Sequence, residues 1–158
     1  MREILAEITI DAPVETVWDI LVDFPEYANW NPFISQISGT PEPGEKLEVF
    51  IQPPGSKGMS FHPRVLIFEP KRELRWLGRV FLPGIFDGEH IFQMEPVGES
   101  TTRFIQREKF TGLLVPFLWK SLDTNTRRGF HAMNEALKVK AEQAAGAGEL
   151  HFDHPGEH

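Results

Sequence analysis

Residues 115–144 read VPFLWKSLDTNTRRGFHAMNEALKVKAEQA, and the fold depends on this stretch. Its apolar positions recur at steps of three and four residues, which is the period of an amphipathic helix. Because a long helix in water is stabilised mainly by packing of its apolar side, the preceding residues must supply a surface for this stripe. The stripe consists of Leu118, Leu122, Met133, Ala136, Leu137 and the aliphatic stem of Lys140.

The centre of the same stripe contains small residues. Thr126 and Gly129 occupy positions where a bulky side chain would complete the apolar face. We therefore predict that the helix stands off its partner surface at this point and leaves a cavity beneath it. A void of roughly 300 Å³ or more would hold a small ligand.

Composition restricts the class of protein. The chain has 158 residues, 41% of them hydrophobic, with a net charge of −7 and no cysteine. This length suits one domain with a substantial core. The acidic balance and the scattered basic residues argue against a nucleic-acid partner, and the lack of cysteine excludes disulfides and thiolate chemistry. The 13 Phe and 4 Trp residues fit a dense core or an apolar pocket.

The first ten residues, MREILAEITI, alternate in polarity and include two glutamates. This pattern is typical of a strand and unlike a signal peptide or a membrane span. We therefore expect a cytoplasmic protein that does not insert into a membrane. Motifs of the GxGxxG, P-loop, HExxH and GxSxG types are absent from the sequence, so we predict no cofactor and no metal site.

Alternating apolar residues between Pro- and Gly-rich turns predict about seven strands. The first strand covers residues 2–10, and two short helical segments follow within residues 14–31. Six further strands are expected between residues 34 and 110, ahead of the long helix. Because tight turns join antiparallel neighbours, the predicted class is α+β, with the element order β-α-α-β6-α. Residues 1–144 are predicted to form one domain and residues 145–158 a flexible tail.

Three segments resemble a known superfamily: ITIDAPVETVWDILVDFPEYANWNPFI (8–34), WLGRV (76–80) and GFHAMNEALK (129–138). They are similar to the START-related helix-grip (SRPBCC) superfamily, in its polyketide cyclase/dehydrase-like branch, and the resemblance covers residues 2–142. It implies a seven-stranded curved antiparallel sheet wrapped around the long C-terminal helix, with a ligand cavity between them. It does not imply one chemistry, because such proteins include lipid carriers, hormone receptors and cyclases.

Strand parity assigns the side chains that face this interior. In the last strand the charged odd positions, such as Arg103 and Arg107, should face solvent, which turns Gln106 and Glu108 inward. His90 in the preceding strand points to the same interior. The predicted ligand-binding residues are Trp30, Phe33, Phe61, Trp76, His90, Phe92, Phe104, Gln106, Glu108, Leu122 and Thr126.

His90 and Glu108 admit two interpretations, because a buried carboxylate needs a partner. In the first they form a catalytic acid/base pair acting on a polyketide-like or steroid-like carbonyl compound. In the second they form an internal hydrogen-bonded pair near the cavity mouth, or Glu108 is hydrated at the sheet edge. The second interpretation is the simpler, so we expect binding of a small hydrophobic, lipid-, aromatic- or polyketide-like molecule rather than cyclase, dehydratase or hydrolase activity.

Two segments near the expected cavity have open roles. Residues 82–88, LPGIFDG, place Ile85 and Phe86 between glycines, which fits either a gate over the ligand or a tip packed on the helix. Trp30 and Phe33 fit either a lid or a core plug. A homodimer, or a protein partner bound on the sheet, is also left open.

Overall fold

The computed structural model describes residues 1–80 and 82–153. Its helices are α1 (Val14–Val22), α2 (Tyr27–Trp30) and α3 (Val115–Asp153), with a 3-10 turn (Phe24–Glu26) before α2. Its strands are β1 (Arg2–Ile10), β2 (Ile34–Ser38), β3 (Glu48–Ile51), β4 (Met59–Phe61), β5 (Arg64–Glu69), β6 (Glu73–Val80), β7 (Phe86–Gly98) and β8 (Thr101–Thr111).

The strands form two antiparallel sheets, one of five strands in the order β1-β8-β7-β6-β5 and one of three in the order β2-β3-β4. The predicted α+β class, curved antiparallel sheet and long C-terminal helix are confirmed. The predicted count of seven strands in one sheet is wrong. The pattern of residues 59–68 indicates one strand, but Pro63 has no N–H for a ladder and divides it into β4 and β5. The two sheets stay joined near this break, where the Leu47 amide donates to the Pro63 carbonyl.

The faces of the larger sheet follow the predicted parity in β8. Phe104 and Gln106 are fully buried. On the outer face Arg103 forms an ion pair with Glu7 at 2.6 Å. In β5 a bulge shifts the register between Val65 and Ile67, so that the next side chain, Phe68, packs against the core.

The later turns of α3 close the interior. Phe130, Met133 and Leu137 on this helix are fully buried, as expected for an apolar stripe against a sheet. The first turns are only partly covered, since Val115 is buried in the core while Phe117 is 84% exposed. None of the helices within residues 1–80 and 82–153 combines the length and the apolar character needed to span a bilayer.

The helix α3 also continues past its predicted end at residue 144 and reaches Asp153. The sequence contains no proline between Pro116 and Pro155, so no residue in this stretch removes a helical hydrogen bond. The predicted tail thus begins as helix. Residues 154–158 lie outside the described residues, and their flexibility stays a prediction.

Gly129 does not leave the gap that the sequence predicts. A Cβ atom placed on it would lie 2.2 Å from two carbons of the Phe33 ring. That ring also packs edge-on against Phe130, with centroids 5.8 Å apart. Gly129 is therefore a seat for Phe33, and the open space begins one turn earlier, at Thr126.

We predict that Gly129→Ala destabilises the protein by about 2 kcal/mol, because the new methyl group overlaps the Phe33 ring. The gain in helix propensity, about 1 kcal/mol, is too small to offset this overlap. Urea denaturation measures the free energy of unfolding.

The matched control is Gly146→Ala in the same helix, where nothing lies within 4 Å of the added atom. It should be neutral or stabilising by up to about 1 kcal/mol. Phe33→Leu should recover part of the stability lost in Gly129→Ala. Equal stability of Gly129→Ala and the wild type would show that Phe33 does not depend on this seat.

Candidate functional site

A cavity of about 440 Å³ lies beneath the first turns of α3, where both sheets open away from the helix. The larger sheet contributes aromatic and small residues together with two titratable side chains. The smaller sheet contributes aliphatic and aromatic side chains, and the loop between β3 and β4 contributes Pro53, Ser56 and Lys57. The wall includes Val49, Ile51, Met59, Phe61, Trp76, Gly78, Val80, Phe86, Gly88, His90, Glu108, Phe110, Leu114, Leu118, Ser121, Leu122, Asn125 and Thr126.

The wall of the cavity is mainly apolar. In the described part of the chain its titratable side chains are His90, Glu108 and Lys57, and Lys57 lies in an exposed loop. A few neutral polar groups on α3, including Ser121 and Asn125, face the same space. No group of three or more His, Asp or Glu side chains among the described residues is arranged to hold a metal ion.

The residues predicted from the sequence divide between the cavity wall and the solid core. Those at the wall are Phe33, Phe61, Trp76, His90, Glu108, Leu122 and Thr126. Phe92, Phe104 and Gln106 are on the inner face but fully buried and away from the wall. Parity identifies the face of a strand and not the depth along it, and the later turns of α3 cover this part of the sheet. Their ligand-binding roles stay predictions.

Trp30 lies outside the cavity wall as well. Its indole packs on the Tyr27 ring, with centroids 5.2 Å apart, and joins the edge of the core. The core interpretation therefore suits Trp30 better than the lid interpretation. Phe33 belongs both to the core and to the cavity wall. Its ring packs on Gly129 and also lines the cavity.

Several wall residues were missing from the predicted set. Phe110 shares the parity of Glu108, and Val49 and Ile51 share one face of β3, so the strand pattern contained their signal. Ser121 and Asn125 follow from the helical period once the open end of α3 is known. Val80 shares the parity of Trp76, and Gly88 shares that of His90, so the strand pattern contained their signal as well.

His90 is buried and held by its surroundings. Its side chain is 1% exposed, and its Nε2 lies 2.9 Å from Gln106 Oε1. The ring stacks on Phe92 at 4.4 Å. Burial lowers the pKa of His90 to about 4, although the hydrogen bond to Gln106 acts in the opposite direction. The imidazole is therefore neutral at neutral pH.

Glu108 faces the cavity next to His90. Its Oε1 lies 3.7 Å from His90 Nδ1, which is too long for a hydrogen bond. Gly88 makes room for the carboxyl group, since a Cβ there would lie 2.5 Å from Oε2. Burial raises the pKa of Glu108 to about 8. The two groups are thus a neutral imidazole and a protonated acid at neutral pH, and the hydrogen-bonded pair of the simpler interpretation does not form.

The segment 82–88 is tied to the start of α3. The Leu113 and Leu114 amides donate to the carbonyls of Gly84 and Ile85, each at 3.0 Å. Phe86 turns inward and lines the cavity, while Leu82 is 73% exposed. The tip is folded back onto the helix in this state, and its role as a gate stays a prediction.

Comparison with known proteins places the chain among helix-grip structures. The sequence model of the family described as "Polyketide cyclase / dehydrase and lipid transport" matches residues 1–142. The Zhui aromatase/cyclase from Streptomyces sp. R1128 is similar in structure, with a TM-score of 0.74 and 17% identity over 90% of this chain and 94% of that one.

Two further solved structures show the same fold. A START superfamily protein from Mycobacterium smegmatis has a TM-score of 0.71 and 19% identity over 90% of this chain and 98% of its own. A protein from Thermus thermophilus has a TM-score of 0.71 and 16% identity over 91% of this chain and 99% of its own. No curated protein matches the sequence significantly. The resemblance to the START-related superfamily is confirmed.

We predict that stability falls as the pH rises from 6.5 to 8. In this interval folded Glu108 retains a proton that the unfolded chain has lost, because its pKa of about 8 exceeds the ordinary value of 4.5. One such proton changes the free energy of unfolding by about 1.4 kcal/mol per pH unit, and the fall is about 1.5 kcal/mol in total because Glu108 is half deprotonated at pH 8. Urea denaturation at a series of pH values measures this fall.

Above pH 6.5 the titration of Glu108 dominates, because the unfolded His90 has already lost half of its proton there and offsets only about 0.4 kcal/mol of the fall. Between its pKa of about 4 and the ordinary value of 6.5, buried His90 has the opposite effect, since the unfolded chain binds the proton there. Glu108→Gln should remove the fall, whereas Glu99→Gln in the exposed β7–β8 turn should keep it. An undiminished fall in Glu108→Gln would show that another group titrates.

Proposed function

Because this chain belongs to the polyketide cyclase/dehydrase and lipid transport family through residues 1–142, we propose that it binds a small hydrophobic molecule beneath the first turns of α3. The observation that supports this most is the apolar cavity of about 440 Å³ between α3 and the two sheets. Its volume lies within the range of small-molecule sites, which are mostly apolar with a few placed polar groups.

The wall favours a ligand with an apolar body and few polar atoms. Phe61, Trp76 and Phe110 offer aromatic surface to a lipid-, aromatic- or polyketide-like body. Inside the cavity neither His90 nor Glu108 is charged at neutral pH, so an ionised ligand group there would lack a counter-charge. The polar atoms of the ligand are therefore uncharged oxygens near Glu108 and the hydroxyl and amide groups of α3.

A second candidate function is catalysis of dehydration or cyclisation. Glu108 supports it, because a protonated acid at an apolar cavity wall is suited to general acid catalysis. The fold is also that of the Zhui aromatase/cyclase. The Nδ1 atom of His90 is buried, so His90 would act on Glu108 and not directly on the ligand.

In such a dehydration, Glu108 and His90 together would accept and supply every proton that moves. Glu108 would first move across the 3.7 Å that separates its Oε1 from His90 Nδ1 and pass its proton to that nitrogen, and its carboxylate would then remove the α-proton of a β-hydroxy carbonyl compound. The re-formed carboxylic acid would protonate the β-hydroxyl, which leaves as water. His90 would finally return its proton to Glu108, so that both groups end in their starting states.

Location and assembly are proposed on the sequence alone. The cysteine-free composition supports a cytoplasmic protein. We also propose, from the sequence alone, that the protein can form a homodimer. Light scattering coupled to size-exclusion chromatography measures the mass and decides between monomer and dimer.

We predict that Gly78→Leu weakens ligand binding by about tenfold or more, equivalent to about 1.4 kcal/mol. Gly78 lines the cavity, and its nearest neighbours would be 3.8 and 3.9 Å from an added Cβ, so the new side chain fits the strand and fills the void. Fluorescence titration with N-phenyl-1-naphthylamine, a neutral apolar probe, measures the dissociation constant.

Gly98→Leu is the matched control, because its nearest neighbours are also at 3.8 and 3.9 Å, but Gly98 is the last residue of β7 and does not line the cavity. It should bind the probe like the wild type. Native mass spectrometry of protein from its own host identifies a co-purified ligand. Equal probe binding by Gly78→Leu and Gly98→Leu would contradict a ligand site in this cavity.

The catalytic alternative predicts that Glu108→Gln abolishes turnover of a β-hydroxy carbonyl substrate while the protein still binds it. His90→Ala should reduce turnover as well, since the acceptor for the Glu108 proton is lost. Mass spectrometry of the dehydrated product measures both rates. Equal turnover in the wild type and Glu108→Gln would remove this candidate.

A further inference from the structure

A chain of hydrogen bonds runs from the backbone of β1 to the edge of the cavity. Asn134 on α3 donates from Nδ2 to the carbonyl oxygen of Ala6 at 3.3 Å. Its Oδ1 accepts a hydrogen bond from Gln106 Nε2 at 2.8 Å. Gln106 Oε1 then lies 2.9 Å from His90 Nε2. All three side chains are at most 2% exposed, so water does not compete for these bonds.

The carbonyl of Ala6 fixes the direction of every hydrogen bond in this series. A backbone carbonyl only accepts hydrogen bonds, so the amide nitrogen of Asn134 must face Ala6 and its oxygen must face Gln106. The same reasoning turns the oxygen of Gln106 toward His90. His90 must therefore carry its hydrogen on Nε2. Since a neutral imidazole has a single N–H group, Nδ1 is left with a lone pair.

The aromatic packing keeps the His90 ring in this orientation. The ring stacks on Phe92, with centroids 4.4 Å apart, and contacts Phe130 and Trp76 with centroids at 5.2 and 5.3 Å. Turning the ring over would displace these neighbours in a close-packed interior. The position of Nδ1 is thus as well determined as its protonation.

The Nδ1 lone pair faces Glu108. Nδ1 has no hydrogen-bond partner among residues 1–80 and 82–153, and Glu108 Oε1 lies 3.7 Å away. A lone pair repels an ionised carboxylate, whereas the O–H of a protonated carboxyl group is attracted to it. The alternative tautomer, with hydrogen on Nδ1, would instead favour the carboxylate.

We propose that Asn134 and Gln106 are positioning residues that hold His90 as the Nε2–H tautomer, and that the Nδ1 lone pair adds to the effect of burial in favouring the protonated form of Glu108 at the cavity wall. The pKa of Glu108, raised by burial, agrees with this arrangement. Its meaning for the ligand rests on the proposed function. A ligand in the cavity meets a carboxylic acid, which suits an uncharged carbonyl or hydroxyl oxygen.

The tautomer is measured directly by NMR on ligand-free protein with 15N-labelled histidine. Long-range 1H–15N correlation distinguishes a protonated from an unprotonated ring nitrogen, and His90→Gln assigns the signals of His90. We expect a protonated Nε2 and an unprotonated Nδ1. A wild-type protein with its hydrogen mainly on Nδ1 would overturn the proposal, whether or not any variant folds.

Asn134→Leu tests the role of the chain. Without Asn134 the amide of Gln106 is free to turn its nitrogen toward His90, which places the imidazole hydrogen on Nδ1. The fraction of the Nδ1–H tautomer should rise, and the 13C-detected titration midpoint of Glu108 should fall by about one pH unit or more. A folded Asn134→Leu with an unchanged tautomer and midpoint would contradict the proposal.

Leu137→Ala is the control for loss of core packing, because Leu137 is fully buried on the same face of α3. It should lower stability by about 2–5 kcal/mol without changing the tautomer or the midpoint of Glu108. A change of both in Leu137→Ala would assign the effect to general loosening and count against Asn134. These measurements need no ligand, so a cavity that binds nothing would refute the proposed function and leave this test intact.

Discussion

The interior depends on one close contact, that of the Phe33 ring with the bare backbone of Gly129. The contact lets the β2 end of the smaller sheet approach α3 and divides the space between helix and sheets. On one side Phe130, Met133 and Leu137 pack without gaps against the larger sheet. On the other side the helix diverges from the sheets, and the cavity begins at Thr126. Side chains that line a cavity lose dispersion contacts. The stability of the domain therefore comes mainly from the packed region around Phe130, Met133 and Leu137.

Much of this fold could be predicted from the sequence, and the failures have physical causes. Alternation of charged and apolar residues in β8 fixed which side chains turn inward, since only one register buries no arginine. The residues around Pro63 keep the alternation of a single strand, so the pattern does not show that this proline breaks it. Gly129 was misread for a related reason. A small residue indicates that something approaches closely, but the sequence does not state whether that is a ligand or another side chain such as Phe33.

The polar end of the cavity is controlled more by burial than by attraction between charges. His90 and Glu108 are close enough to be taken for an ion pair, but desolvation shifts their pKa values in opposite directions, to about 4 and about 8. Each group is therefore neutral at neutral pH. Sequence parity brought the two residues together correctly. It did not reveal Asn134, whose contact with Gln106 joins α3 to the sheet and exists only after the helix has docked.

Because of the break at Pro63, the two walls of the cavity belong to different sheets. His90, Glu108 and the hydrogen bonds behind them belong to the five-stranded sheet, whereas Val49, Ile51, Met59 and Phe61 come from the other. Substitutions in β3 and β4 therefore reshape the cavity without touching His90 and Glu108. Proteins with this arrangement can therefore differ in the size of the cavity and keep the same polar side chains at its end.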